Sequence, residues 1–182
     1  MMRRSFILHT LALVFFFLPV ETNRVRAANM RSFIEAVRKN AHVVYVGSVQ
    51  EVKLLQRTKF DLRARAVVRV AKVFRGPTRI PSTATLDYSS FDEKTPMLAG
   101  GPQYELKVGD QTVIFADSFA SSIPPGYLIQ GKREDLLQRA QALRDNLKQM
   151  SADQLKLNEI NEDDRRLQLA LYEKLCTYLQ TP

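Results

Sequence analysis

Residues 60–77, FDLRARAVVRVAKVFRGP, constrain this chain more than any other stretch. Phe60, Leu62, Ala64, Ala66, Val68, Val70 and Phe74 alternate with Arg63, Arg65, Arg69 and Arg75, so an extended backbone sends them to opposite sides. Lys72 alone interrupts the apolar set, and near a strand end it can snorkel to solvent. Gly76-Pro77 stops the run. The pattern predicts a long strand with one face in a core and an arginine row on the other.

A strand of that length needs partners, and the sequence supplies them on both sides. Met30, Phe33, Ile34, Val37 and Ala41 recur at helical spacing, with Ser32 and Glu35 as a capping box and Glu35–Lys39 as an i,i+4 pair. AHVVYVGSVQEVKLL comes next as a strand buried at its start and half-exposed later, with Gly47 marking a bulge or bend and 56–59 turning the chain. Residues 83–88 make a third strand and 112–116 (TVIFA) a buried fourth, opened by the tight turn Val108-Gly109-Asp110. Residues 126–130 (GYLIQ) make a fifth strand, while 89–102 and 118–125 read as surface loops. Five strands with short connections and a long, bent first pair point to a small barrel.

From Lys132 the apolar period changes from two to between three and four. Leu136, Ala140, Leu143, Leu147 and Met150 form one helical stripe, and Leu167, Leu171, Leu175 and Tyr178 form another. Ser151 with Gln154, and Asn161 with Asp164, supply helix starts. A helical hairpin packed on the barrel is expected, with pairing to a second chain as the alternative.

The N-terminus reads as an export signal. Arg3-Arg4 precede the apolar run 6–20, and Val25-Arg26-Ala27 places modest side chains for cleavage between Ala27 and Ala28. The run is about fifteen residues, short of the ~20 that span a bilayer, so an uncleaved anchor is the lesser alternative. The general secretory route suits its hydrophobicity, with twin-arginine export as a minority option. The expected parts are thus a signal peptide at 1–27, a β domain at 28–131 and a helical extension at 132–182, working in the periplasm or outside the cell. No transmembrane segment is expected after signal removal.

Composition removes several functions. The chain carries a net charge of +8, and the segment 1–27 holds four of its basic residues and one acid, leaving +5. Eight Lys and Arg lie between Arg57 and Arg79, whereas the tail from Lys132 balances nine basic against nine acidic residues. That bias falls short of a nucleic-acid binder, and few aromatics interleave the arginines to stack on bases. After 1–27, His42 is the sole histidine, at the head of the first strand beside apolar neighbours, and reads as structural. Cys176 is the sole cysteine and sits on a helical apolar stripe, where packing outweighs an intermolecular disulfide. Asp110 and Asp117 flank TVIFA, and turn and strand-end roles explain them better than a catalytic pair. No phosphate loop, metal cluster or nucleophile triad emerges, so neither enzyme activity nor a cofactor or metal site is expected.

The order of pieces, AHVVYVGSV, then VAKVFRGP, then LKVGDQTVIFA, then YLIQ, resembles the netrin-like family that includes the tissue inhibitors of metalloproteinases. The resemblance covers about residues 31–131. It implies a mainly β fold with a helical appendage: a five-stranded OB-type barrel preceded by a short helix and followed by a helical hairpin. In those inhibitors a leading cysteine chelates the target's zinc, but residues 28–131 hold no cysteine, so chelating inhibition is not implied. The resulting expectation is an exported, non-enzymatic binding module whose partner is another extracytoplasmic protein. The alternatives are protease inhibition in a non-chelating mode through 89–102, and polyanion binding through Arg63, Arg65 and Arg69, since the second and third strands of OB barrels often carry the ligand surface.

Overall fold

The computed structural model describes residues 33–95, 103–122 and 127–181. The expected signal segment with its Ala27/Ala28 junction, Ser32 of the capping box, and parts of both expected loops lie outside the described residues. The fold is mixed α+β. Helix α1 (33–40) leads into β1 (Val43–Arg57), β2 (Leu62–Arg75), β3 (Thr83–Ser90), β4 (Gln111–Ala116), β5 (Ala120–Ser122) and β6 (Tyr127–Gly131). Helices α2 (Arg133–Gln149), α3 (Ala152–Leu157) and α4 (Glu162–Gln180) complete the chain.

The strands form one six-stranded sheet in the order β5-β3-β2-β1-β4-β6, not the five-stranded barrel expected. All pairs are antiparallel except β3 with β5. The extra strand, β5, arises inside the expected loop 118–125 and pairs in parallel with Thr85, Leu86 and Asp87. Among the described residues no ladder joins β5 to β6, so the sheet curls without closing. Tyr104 helps to span the gap: its N–H donates to the Ser89 carbonyl (3.0 Å), and its hydroxyl accepts from the Leu128 N–H (3.3 Å). Single bonds from one irregular segment replace the ladder that would close a barrel.

Both faces of the sheet carry apolar cores. Tyr45 and Val49 of β1, Ala66 and Val68 of β2, Leu86 and Tyr88 of β3, and Ile114 of β4 pack inside the curl with Tyr104 and Leu106. Val44, Val46, Val113, Phe115 and Ile129 pack on the other face against Leu136, Ala140 and Leu147 of α2 and Leu171, Leu175 and Cys176 of α4. The α2 stripe is therefore as the sequence predicts. On α4, Leu171 and Leu175 are buried and Tyr178 packs beside them as the sequence predicts, but Leu167 is 62% exposed, and Gln168, Tyr172, Cys176 and Leu179 complete the buried face.

Helix α1 departs from its apolar pattern. Phe33 is exposed, and the buried side chains are Glu35 and Arg38, which pair with each other in place of the expected Glu35–Lys39 contact. The Arg38 guanidinium also lies 4.5 Å from the centre of the Tyr127 ring. Lys39 instead donates to the Glu159 carbonyl (2.6 Å) and lies 3.7 Å from Asp164, fastening α1 to the start of α4.

The β1–β2 hairpin dominates the sheet and is bent by four irregularities. Phe74 and Ala71 are extra residues on β2, and Gln50 and Leu55 are extra residues on β1. Each bulge flips the facing of the residues after it. After Ala71, Val73 joins the inner core and Lys72 turns to solvent without snorkelling, while Phe74 packs against the helical layer. Phe74 therefore does not share a face with Leu62–Val70, and Phe60, 64% exposed, lies in the turn before β2. Gly47 stands where Ala71 bulges. A Cβ there would run into Val68 Cγ1 and come within 2.6 Å of the Arg69 carbonyl oxygen. Gly109 takes φ +92 in the turn before β4, where Asp110 Oδ2 accepts from the Lys107 N–H (2.8 Å).

Candidate interaction surface

The structure places Arg63, Arg65 and Arg69 together on the exposed outer face of β2, as their alternation predicts. Arg75 does not join that exposed row. The two bulges at Ala71 and Phe74 cancel and keep it on the same face, opposite Val44, but α1 covers that end, and its guanidinium donates to the carbonyls of Lys39 and Ala41, each at 3.0 Å. It thereby satisfies carbonyls at the end of a helix.

The rest of the row is largely neutralised. Arg65 lies opposite Asp87 in the β2–β3 register and grips its carboxylate through two bonds of 2.6 and 2.8 Å. That contact holds the Asp87 carboxyl below its ordinary range and the Arg65 guanidinium above its own. Arg63 donates to Asp61 at 3.1 Å. Among the described residues only Arg69 of the three lacks a carboxylate. Behind the hairpin tip, Arg57 grips Asp92 with bonds of 3.0 and 2.5 Å. Those bonds, with the Thr95 N–H, hold the Asp92 carboxyl at about 2. A second turn stabiliser is Thr58, whose hydroxyl accepts from the Phe60 and Asp61 N–H groups.

What the alternation did not single out is the apolar material on the same arm. Leu54 is 50% and Leu55 42% exposed, and Phe60 stands beyond them at the tip. The signal for them lies in the adjacent leucines, which break period two; Leu55 is the bulged residue. The arm also outreaches its neighbour on one side. β4 pairs with β1 only from Val43 to Ser48, and beyond Val49 no described strand pairs with that edge of β1.

The remaining sequence candidates have ordinary surroundings. His42 is solvent-exposed, not packed among apolar neighbours, and its Nδ1 lies 3.8 Å from the equally exposed Asp117. Asp110 serves the turn before β4, and its carboxylate is not joined with Asp117. Cys176 is buried in the helical layer, and burial raises its thiol pKa. Among the described residues no cluster of His, Cys, Asp and Glu could hold a metal. A groove of about 440 Å³ runs between α4 and the end of β2, lined by Phe74, Leu167 and Lys174 among others. Its other cations, Lys39 and Arg75, are committed to the backbone contacts described above.

Comparison with protein-family profiles and with curated proteins finds no match to this sequence. Among the described residues no helix is long and apolar enough to cross a membrane.

Proposed function

We propose that this chain is an extracytoplasmic, non-enzymatic protein-binding module that meets its partner through the β1–β2 arm. The observation carrying this reading is the arm itself: an edge of β1 without a described strand beside it, flanked by exposed Leu54, Leu55 and Phe60. Soluble proteins shield such edges or use them, because unpaired backbone groups template the addition of another strand. Exposed apolar side chains grouped on one projection mark contact surfaces more often than scattered ones do. The extracytoplasmic placement rests on the basic, apolar and small-residue succession of 3–27.

The polyanion alternative loses force because Asp61 and Asp87 neutralise Arg63 and Arg65, so that of this row only Arg69 lacks a carboxylate among the described residues. Protease inhibition through 89–102 has no comparable support, and β3 already claims Ser89 and Ser90. A photo-crosslinking residue placed at Phe60, in cells exporting the protein, tests the proposal. Discrete adducts from position 60, without matching adducts from the exposed Leu157 on α3, are expected. Identical patterns from both positions, or none from either, would contradict it.

A further inference from the structure

The open edge has a definite hydrogen-bonding phase. Val49 is the last residue served on that side: its N–H donates to the Asp110 carbonyl and its carbonyl accepts from the Gly109 N–H, both at 2.9 Å. In the β1–β2 register Val68 stands opposite Val49, Ala66 opposite Val52 and Ala64 opposite Leu54. These alternate β2 residues turn their backbone groups toward β3, as Val70 does when its N–H donates to the Ser82 carbonyl (2.9 Å). The N–H and C=O of Val52 and Leu54 therefore point away from β2, on the side Val49 uses. Among the described residues no strand receives them.

The side chains on this segment state what would fit. Val52 packs at the margin of the inner core and Leu54 continues that face into solvent. Lys53, between them, projects on the outer face beside Arg65, whose charge Asp87 already satisfies. Among the described residues Lys53, Lys59 and Arg69 have no carboxylate partner, and Glu51 is the one acid on β1, so the arm carries a positive excess. The bulges at Gln50 and Leu55 bracket 52–54 and limit the ladder to a few residues, which discourages indefinite edge-to-edge stacking.

We infer that β1 accepts a short extended segment of a partner protein as an added strand on 52–54, and that this segment alternates apolar with acidic side chains. Its backbone pairs with Val52 and Leu54, its apolar side chains extend the inner core over those two residues, and its carboxylate meets Lys53. This deepens the reading of the arm as the contact surface and rests on it.

The probe is a fluorescein-labelled, capped octapeptide alternating valine and glutamate, titrated with the full protein and followed by anisotropy. Saturable binding is expected, about tenfold or more tighter than for a valine–lysine octapeptide or for one with proline at alternate valines. Leu54→Pro removes an N–H from the open side only, which an edge strand tolerates, and should weaken binding at least about tenfold. Lys53→Glu, on the surface, should reverse the preference between the glutamate and lysine peptides without altering the urea midpoint. Three results would each overturn the inference: no saturation up to millimolar protein, both variants binding like the wild type, or sedimentation showing the edge occupied by a second copy and freed by Leu54→Pro. Failure of the octapeptide with adducts still forming at position 60 sinks strand addition and leaves the contact surface standing. Failure of both removes both.

Discussion

Replacing Gly47 tests how the long hairpin is held. The glycine lies where β1 meets the bulge at Ala71, and β2 approaches so closely that an added Cβ meets two kinds of obstacle. One is Val68 Cγ1, a side chain with no exposed surface, and the other is the Arg69 carbonyl oxygen at 2.6 Å, with the Arg69 carbonyl carbon at 3.4 Å. Val68 cannot swing into solvent, and the carbonyl moves only with the strand. Gly47→Ala should therefore cost about 1–3 kcal/mol, the range for overpacking a dense core. For a domain of this size that lowers the melting temperature by roughly 2–4 °C per kcal/mol. Urea unfolding of Gly47→Ala, Val68→Ala and the double variant separates the two obstacles. Removing Cγ1 relieves one contact, so the double variant should lie closer to Val68→Ala than additivity predicts, by about 0.5–1.5 kcal/mol, within the range for contacting residues. The carbonyl clash remains, so recovery should be incomplete. A Gly47→Ala variant within about 0.5 kcal/mol of wild type, inside the range of an unconstrained surface change, would refute the close-approach argument.

Other predictions concern the fastenings. Arg133 donates to the carbonyls of Tyr178 (2.6 Å), Leu179 (3.1 Å) and Thr181 while lying over the Tyr178 ring, so it ties the start of α2 to the end of α4. Arg133→Ala should destabilise the protein by about 1–3 kcal/mol in urea unfolding, and a change within about 0.5 kcal/mol would show the cap to be idle. Asp92 is held at about 2 by Arg57 and Thr95, below its unfolded value, so its contribution is present above an unfolded pKa near 4 and is lost as pH falls through about 2. NMR titration of the Asp92 side chain should place its midpoint there, and Arg57→Gln should raise it; an unmoved midpoint would deny the pair. Cys176, 3% exposed with its thiol pKa raised by burial, should react with iodoacetamide at least about a hundredfold slower in native buffer than in urea. Equal rates would place the thiol at the surface.

Period two in 62–70 and the helical stripe of α2 were legible because each obeys one geometric rule without interruption. Gly47 and Val108-Gly109-Asp110 were legible as a bend and a turn. The bulges at Ala71 and Phe74 were not, because an extra residue preserves composition while reversing every facing after it; Lys72 was the one visible symptom. β5 escaped because three residues, ASS, carry no period and gain their strand geometry by pairing with β3. The closed barrel failed at the same place: β5 takes the edge beside β3, and among the described residues no ladder joins it to β6, an outcome set by pairing between segments distant in sequence. On the arm, the arginine row was legible, but its neutralisation by Asp61 and Asp87 depends partly on register. The open edge at Val52 and Leu54 is invisible to any pattern, since it exists only because β4 ends its pairing at Ser48.

Amide hydrogen exchange read residue by residue along β1 of the free protein tests the open edge most directly. Slow exchange is expected at Val44 and Val46, between two strands, and a sharp alternation beyond Val49. Lys53, whose N–H faces Arg65, should stay protected, while Val52 and Leu54 exchange close to the rate of an unstructured chain. Uniform protection across Val52, Lys53 and Leu54 would mean that the edge is already covered, and the arm would lose its claim as the contact surface.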